Sequence, residues 1–519
     1  MNPTHCSLIA LVLALACTQA RAFSLLGPHA DWMTETNGYR EDGGIGGPMA
    51  LDEEYRWNVP IVTYGFDDAF VQYFGKKGVR AVEMAIQTLN AVPRSSNVSL
   101  DSFALDVRRM NAQAASAGLF DLKSATLFCL LEQMGLAAPS SHIFTLRRWD
   151  PYFGQHADEA QWDNSVYENL ILLRNFDPET RGASRTVNGV LYTGVVYWNV
   201  WMGELFADAG ELRANPIGDA SPVADGKLSP GLFFTGLSRD DAGGLRYLLS
   251  RTNVNVEALP PGARLRRSGP AIAPREGVEK IRFVRHKKRG SRFVAQTFSY
   301  PTFLVTNGVR RQQLTIRRVT RPDVLFSVAD NIATNGWASV IERSQTGAWL
   351  NCADTNGNTG GAGPGIINGP VKITFNRMGP RLQTADSPQF GFPQFDVLRW
   401  GTFTQAPNAP VTYPAATKRG QLSVYVRTYA PSEPGASSYV PAQDAWLKTN
   451  MLRGAVATLQ ISTNQLDWTS VHTVTNTGAT VEWHHYFSQA AFGVIPTTNN
   501  VPVIGPTNLP SFRIIRGSI

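Results

Sequence analysis

The densest group of side chains that could act in hydrolysis or bind a metal ion lies at residues 156–163. His156, Glu159 and Asp163 fall within this short segment. An imidazole beside carboxylates can serve as a general acid–base pair or as a set of metal ligands. Their spacing matches no known ligand set, so a solvated loop is the competing interpretation. Trp149 and Trp162 lie nearby and could stack on sugar rings, so Trp149, His156, Glu159 and Trp162 are candidate ligand-binding residues.

A second candidate site is the Gly- and Asn-rich stretch at residues 354–369. Asp354, Asn356 and Asn358 place oxygen-bearing side chains at positions 1, 3 and 5, as at the start of a calcium-binding loop. Position 12 is Gly365 and not a bidentate glutamate, and the glycine expected at position 6 comes one residue later. The three residues are therefore a weak calcium candidate, and a flexible linker is the alternative.

A basic stretch spans residues 282–292. Its cationic or titratable members are Arg282, Arg285, His286, Lys287, Lys288, Arg289 and Arg292. Anionic glycans or lipid headgroups are conceivable partners for such a segment. A charged hairpin tip, with Phe283 and Phe293 pointing inward, is the alternative interpretation.

The elements that would position these residues change in character along the chain. Residues 59–66 are β-rich, and apolar residues at helical spacing predict helices over 78–89 and 122–134, the latter ending at Gly135. Ser238 begins a capping-box pattern, which predicts another helix. After residue 255 the pattern indicates short strands without helices, which favours β-sandwich modules. These strands are predicted at 280–284, 302–305, 313–316, 324–328, 371–375, 421–427, 458–462, 471–475, 481–487 and 512–515.

The order of pieces between residues 50 and 250 resembles the matrixin zinc proteases, which are metzincins. Trp57-Asn58-Val59-Pro60-Ile61-Val62-Thr63-Tyr64 and the following helix look like the opening of that domain. Leu237-Ser238-Arg239-Asp240-Asp241-Ala242-Gly243-Gly244-Leu245 looks like the start of its closing helix. The resemblance implies an α+β domain over about 200 residues and leaves the β-rich remainder unexplained. As a whole, the chain is similar to large exported bacterial proteins.

The catalytic motif implied by this resemblance is missing. The family motif is His-Glu-x-x-His-x-x-Gly-x-x-His, in which three histidines hold zinc and the glutamate activates water. With the motif glycine set on Gly135, the metal positions are Phe128, Glu132 and Ala138, and the base position is Cys129. Only Glu132 could ligate a metal. We therefore expect a degenerate domain with no cofactor and no catalytic residue from this motif.

The first residues predict export. Residues 6–17 are apolar but too short to span a bilayer, and Ala20-Arg21-Ala22 matches a signal-peptidase site before Phe23. The expected location is periplasmic, cell-surface or extracellular, with no transmembrane segment after signal removal. The chain has 519 residues, of which 43% are hydrophobic and 17% charged, so wholesale disorder is excluded. A net charge of +7 is too diffuse to indicate nucleic acid, and export argues against that partner.

These observations together predict a multidomain α+β protein with a metzincin-like α+β domain followed by β-sandwich-like modules. The predicted divisions are a signal peptide at 1–22, an extended lead-in at 23–50, the metzincin-like domain at 51–255, a β-rich module at 263–353, a Gly/Asn-rich linker at 354–369 and a β-sandwich-like module at 370–519. The function expected is non-catalytic binding or scaffolding, with a cell-surface glycan or another extracellular macromolecule as partner. A secreted hydrolase with a site not recognisable from the sequence is the alternative.

Overall fold

The structure is a computed structural model of the chain. It describes residues 22–30, 32–33, 45–150, 168–201, 204–215, 221–329, 331–332, 341–343, 349–351, 364–380, 394–405 and 409–413. Between residues 422 and 516 it describes strand segments only. Within these residues the protein is mostly β-structure, arranged in several sheets with few helices.

Four α-helices lie in the first half of the described chain. They are α1 (Asp68–Ala91), α2 (Ala112–Ser116), α3 (Leu122–Glu132) and α4 (Arg239–Leu249). Short 3-10 turns occur at Ser95–Asn97, Leu100–Ser102, Pro139–Ser141 and Val223–Asp225. None of the described helices is both long and apolar enough to cross a membrane.

The strands run through the whole described chain. In the first half they are β1 (Phe23–Gly27), β2 (Gly47–Met49), β3 (Tyr55–Arg56), β4 (Ile61–Phe66), β5 (Arg108–Met110), β6 (Leu119–Asp121), β7 (Leu136–Ala137), β8 (Phe144–Asp150), β9 (Glu168–Leu173), β10 (Asn175–Phe176), β11 (Thr186–Val187), β12 (Val190–Trp201), β13 (Glu204–Arg213), β14 (Leu232–Phe234) and β15 (Val254–Ala258). Those that follow are β16 (Ala263–Leu265), β17 (Ile272–Glu276), β18 (Arg282–Arg285), β19 (Lys288–Arg289), β20 (Arg292–Phe293), β21 (Gln296–Thr306), β22 (Val309–Val319), β23 (Val324–Ala329), β24 (Asn331–Ile332), β25 (Ile341–Arg343), β26 (Trp349–Asn351), β27 (Gly365–Ile367) and β28 (Val371–Asn376).

The remaining strands are β29 (Met378–Pro380), β30 (Gln394–Val397), β31 (Arg399–Thr402), β32 (Val411–Tyr413), β33 (Leu422–Val426), β34 (Tyr429–Ala430), β35 (Val440–Pro441), β36 (Asp444–Asn450), β37 (Val456–Ser462), β38 (Thr469–Thr475), β39 (Thr480–Tyr486), β40 (Val494–Ile495), β41 (Val503–Ile504) and β42 (Ser511–Arg516). Each strand predicted after residue 255 therefore overlaps an observed strand. No helix occurs in the described residues beyond 255.

The central sheet has five strands in the order β18-β4-β23-β28-β25. Strands β18, β4, β23 and β28 are parallel to one another, and β25 is antiparallel to β28. Parallel strands are usually buried and read as near-continuous apolar runs, as β23 does in Val324-Leu325-Phe326. This pairing differs from the antiparallel β-sandwich expected for these strands, because they complete a sheet with β4 instead.

Helix α1 begins ten residues before its predicted start at residue 78. The carboxylate of Asp67 accepts a hydrogen bond from the Phe70 backbone N–H at 2.8 Å, which caps the helix. Gly75 has φ +62°, so the helix is kinked there. Phe70 and Phe74 are fully buried, with ring centroids 4.7 Å apart. The first turns therefore belong to the core, and Phe70 and Phe74, four residues apart, continue the buried face of the predicted helix.

The segment expected as an extended lead-in is partly built into the core. Strand β1 is buried along its whole length and pairs with β2, β7 and β10. The ring of Phe23 stacks on Tyr247 of α4, with centroids 5.1 Å apart. The predicted cleavage point between Ala22 and Phe23 thus lies between two buried residues.

The predicted division near residue 255 does not coincide with a boundary between sheets. Strands β18 and β23 come after this point and flank β4, which comes before it. A buried ion pair also crosses it, because Arg56 Nε donates to Glu257 Oε1 at 2.7 Å. The same guanidinium donates to the backbone carbonyl oxygens of Leu248, Asn253 and Arg275. These segments fold together.

Candidate functional site

Helix α3 carries three of the four motif positions, and local signals determine where it begins and ends. Asp121 accepts hydrogen bonds from the Ser124 backbone N–H at 2.9 Å and from its hydroxyl at 2.6 Å. Burial raises the pKa of Asp121 to about 6, although these hydrogen bonds act in the opposite direction. After the helix, Gly135 has φ +105°, and a Cβ there would overlap the carbonyl oxygen of Tyr55. The predicted stop at Gly135 is correct within three residues.

The motif positions are mainly packing positions. Cys129 and Glu132 are buried, and Phe128 and Ala138 are partly buried. The Phe128 ring lies against Gly226, where φ is +62° and an added Cβ would overlap the ring. Ala138 precedes the 3-10 turn at Pro139–Ser141. The aromatic ring thus packs against the segment that follows the 3-10 turn at Val223–Asp225.

These residues do not fit a catalytic zinc ion. Such an ion needs three fixed protein ligands and an open position for water. Phe128 and Ala138 have no side-chain donor atom, so Glu132 would be alone. Within the described residues, no group of three or more His, Cys, Asp or Glu side chains is arranged to hold a metal ion.

Three buried aspartates instead gather where α4 begins. Ser238 caps the helix through the predicted capping box, with Asp241 accepting hydrogen bonds from the Ser238 backbone N–H at 2.8 Å and hydroxyl at 2.7 Å. Asp241 also accepts from the backbone N–H groups of Val223 and Ala224, both at 3.0 Å. The Asp241 carboxylate therefore joins the start of α4 to the 3-10 turn at Val223–Asp225, which packs against α3.

Asp240 and Asp225 extend this cluster in two directions. Asp240 accepts a hydrogen bond from the Asn188 backbone N–H at 2.6 Å and another from the backbone of Ala22. Asp225 accepts from the Ser140 backbone N–H at 2.8 Å. We name Asp225, Asp240 and Asp241 the aspartate cluster.

Burial is the main cause of the raised pKa values in the aspartate cluster. It raises the pKa of Asp225 to about 6, the pKa of Asp240 well above its usual value, and the pKa of Asp241. Repulsion between the carboxylates adds to the shifts of Asp225 and Asp240. A cluster that is closed to solvent and accepts hydrogen bonds from the backbone of several segments holds those segments together and has no room for a substrate.

Ser140 and Lys227 place a hydroxyl next to an amine, as in a serine–lysine catalytic pair. Lys227 Nζ donates to Ser140 Oγ at 2.5 Å. A serine nucleophile must be reachable by its substrate, and Ser140 is only 4% exposed. This pair therefore links the 3-10 turn at Pro139–Ser141 to the residues after Val223–Asp225, next to Asp225.

The other predicted site residues lie outside the described structure. His156, Glu159 and Trp162 belong to a part of the chain that is not described, as do Asp354, Asn356 and Asn358. For Trp149 the structure describes only the backbone, in β8. The candidate ligand-binding group and the weak calcium loop stay predictions.

The second half of the basic stretch at 282–292 is a hairpin, as its alternative interpretation predicted, whereas its first residues form β18 of the central sheet. Strands β19 and β20 pair antiparallel, with Lys288 opposite Phe293. Phe283 is buried and Phe293 half-buried. His286 is also buried, and burial lowers its pKa. The lysines and arginines at the tip are exposed.

Comparisons with protein-family models, with curated proteins and with solved structures found no match to this chain.

The aspartate cluster was missed from the sequence except for the capping role at Ser238. Asp225 looks like an ordinary turn residue beside Gly226, and nothing local indicates that it is buried. Two adjacent aspartates after a serine indicate a helix start. Their burial depends on β11, β12 and the Val223–Asp225 turn, which are distant in the chain.

Proposed function

We propose that this chain is an exported, non-catalytic binding or scaffold protein. The observation that carries the proposal is the packing of Phe128 against Gly226 at the position where the resemblance to metzincins would place a zinc ligand. An aromatic ring in that position cannot ligate a metal. The neighbouring Cys129 is fully buried and cannot serve as a solvent-accessible base.

Further support comes from the environment of α3. Its residues Leu127, Leu130 and Leu131 are fully buried, so the helix exposes no polar face from which chemistry could be directed. The aspartate cluster and Ser140, which lie beside α3, are also buried and out of reach of a substrate. A protein built in this way acts through its surfaces, and export would place them against glycans or other extracellular macromolecules.

Zinc analysis and a protease assay on the purified full-length protein test this proposal. We expect far less than one zinc per chain and no peptide-bond cleavage that a chelator inhibits. Substituting Glu132→Gln should leave any residual zinc content unchanged, because a single carboxylate cannot retain the ion against water. About one zinc per chain, lost in Glu132→Gln together with chelator-sensitive cleavage, would instead support the secreted hydrolase.

A further inference from the structure

Positive charge is concentrated in one segment of this chain. Residues 251–321 contain 17 of the 48 lysines and arginines but only 3 of the 41 acidic residues. This segment therefore carries a formal charge of +14, while the rest of the chain carries −7. Fourteen of the 17 cations are arginines. The modest net charge of the whole protein conceals this asymmetry.

Most of this segment folds into a second five-stranded sheet with the order β15-β17-β21-β22-β16. Side chains alternate between its two faces. On β22, Thr315, Arg317 and Val319 are buried, and Arg317 pairs with Asp323 at 2.5 Å. The residues between them, including Arg318, lie on the opposite, outer face.

Three arginines form a strip along one edge of that outer face. Arg264 of β16 pairs in register with Ile316 of β22, and the Arg266 backbone N–H donates to the Leu314 carbonyl oxygen. Arg318 lies on the same face two residues beyond Ile316. We name Arg264, Arg266 and Arg318 the arginine strip. From Arg318 to the level of Arg266 it extends about 13 Å along the strands.

The arginine strip is exposed and its charges are not neutralised. All three side chains are exposed, and none forms an ion pair within the described part of the chain. Arg310 is different, because its Nε donates to both oxygens of Glu276 at 2.8 and 2.9 Å and its guanidinium lies 3.5 Å from the Phe303 ring centroid.

The basic hairpin continues the positive surface beyond one end of the strip. The Lys287 backbone N–H donates to Gln296 Oε1 at 2.8 Å, and Gln296 is the first residue of β21. The next residue, Thr297, pairs with Arg318. Lys287, Arg289 and Arg292 are exposed and form no ion pair within the described residues.

The shape of this surface favours a linear acidic polymer over a bilayer. The most exposed large apolar residues of the outer face, Val254 and Ile272, lie on β15 and β17, at the opposite edge from the arginine strip. Leu314 and Ile316, which lie beside the arginine strip, are only partly exposed. A membrane-binding face would instead bring apolar and cationic groups together. Arginine also offers a planar fork that binds carboxylate, sulfate or phosphate oxygens in pairs.

The same face lacks the stacking surfaces typical of single-stranded nucleic acid binding, in which bases stack on aromatic rings. Phe303 is the aromatic residue among the described residues of the outer face, and its ring is covered by the guanidinium of Arg310, so it is not open for a base to stack on. We propose that the arginine strip, extended by the basic hairpin, binds an acidic polysaccharide through its carboxylate or sulfate groups. This inference rests on the binding function proposed above and names the class of partner.

Binding of the full-length protein to polygalacturonate, which carries carboxylates, and to heparin, which carries sulfates, tests the inference. We expect at least one of them to bind with an affinity that falls as salt rises, because counterions are released. The variant Arg264→Ala/Arg266→Ala/Arg318→Ala should bind it about tenfold more weakly or worse. Neutral dextran should not bind.

The matched control removes three exposed cations from α1, as Lys76→Ala/Lys77→Ala/Arg80→Ala. Its affinity should stay within about twofold of the unsubstituted protein, because these cations lie outside the strip. General electrostatic attraction would instead weaken equally in both triple variants. The variant Arg264→Lys/Arg266→Lys/Arg318→Lys keeps the positive charge. It shows whether the alanine variant loses affinity through the lost side chains or through misfolding. It should bind more tightly than the alanine variant and less tightly than the original protein.

Equal loss in the strip and control variants, or no loss in either, would overturn the inference. So would tighter binding to single-stranded DNA or to anionic lipid vesicles than to both polysaccharides. These outcomes leave the non-catalytic function standing, because that proposal depends on zinc content and proteolysis. Stoichiometric zinc with chelator-sensitive cleavage would refute the proposed function without bearing on the arginine strip.

Discussion

At the scale of single residues, the buried aspartates are the most unusual feature of this protein. An aspartate without solvent normally has a cationic partner. Asp225, Asp240 and Asp241 instead accept hydrogen bonds mainly from backbone N–H groups, although the charge of Lys227 partly offsets the effect of burial on Asp225. Burial therefore raises their pKa values, and repulsion between the carboxylates adds to the shifts of Asp225 and Asp240. The folded protein binds protons at these groups more tightly than the unfolded chain does.

This difference gives stability a specific pH dependence. The pKa of Asp225 is about 6 in the folded protein, against an ordinary value of 3.8. The folded state therefore holds the extra proton between these values, and the contribution of Asp225 to stability is lost as pH rises from about 4 to 6. The full loss is at most about 3 kcal/mol.

Asp225→Asn should remove this dependence, because an amide oxygen can still accept the Ser140 N–H and does not ionise. The free energy of unfolding of the variant, relative to the original protein, should rise between pH 4 and 6 and then level off. Urea denaturation at a series of pH values measures it. His142, whose pKa burial lowers to about 4, changes stability equally in both proteins and cancels. Parallel pH curves would contradict the expectation.

At the scale of elements, the contact between α3 and the turn at residue 226 depends on the pairing of Phe128 with a glycine. Phe128 projects from the helix, and the turn admits it only because Gly226 has no side chain. Both partners are required: the positive φ favours glycine, and the ring occupies the space a Cβ would need.

Gly226→Ala should therefore destabilise the protein for two reasons. The left-handed backbone costs about 1 kcal/mol for alanine, and overlap with Phe128 costs about 1–3 kcal/mol more. Gly290→Ala is the matched control, because Gly290 has φ +60° and open space around its Cβ position. In a Phe128→Ala background, Gly226→Ala should cost no more than Gly290→Ala does. Thermal or urea denaturation measures the free energies of unfolding of the original protein, the three single variants and the Phe128→Ala/Gly226→Ala double variant. Equal costs for both glycines in the original background would disprove the contact.

At the scale of the whole molecule, the central sheet joins segments far apart in the chain. Strand β4 has β18 on one side and β23 on the other, both more than 200 residues later. Phe66 stacks on Phe326 with ring centroids 5.5 Å apart, and Phe70 lies 6.1 Å from Phe375. The predicted domain at 51–255 therefore lacks most of its own sheet.

The isolated fragment 51–255 should not fold cooperatively. Without β18, β23 and β28, strand β4 has two unpaired edges and α1 loses the aromatic residues it packs against. A fragment spanning 22–413 keeps these strands and should show a sigmoidal thermal transition by circular dichroism. The same transition in 51–255, with comparable slow hydrogen exchange in α3, would show that the division at residue 255 separates independent domains.

The sequence alone determined the features that depend on neighbouring residues. Gly135 ends α3 and Ser238 caps α4, because a positive φ and a capping hydroxyl act within one helical turn. Strands after residue 255 were predictable for the same local reason. The alternation on β22 likewise separates Arg317 from Arg318, but it does not say which of them is buried.

The tertiary structure decided the partners. Side-chain period predicts that a segment is a strand, and it carries no information on which strand 200 residues away will pair with it. For that reason the parallel sheet and the burial of the aspartate cluster were not predictable. The arginine strip depends on the same information, since Arg264 and Arg318 become neighbours only when β16 pairs with β22.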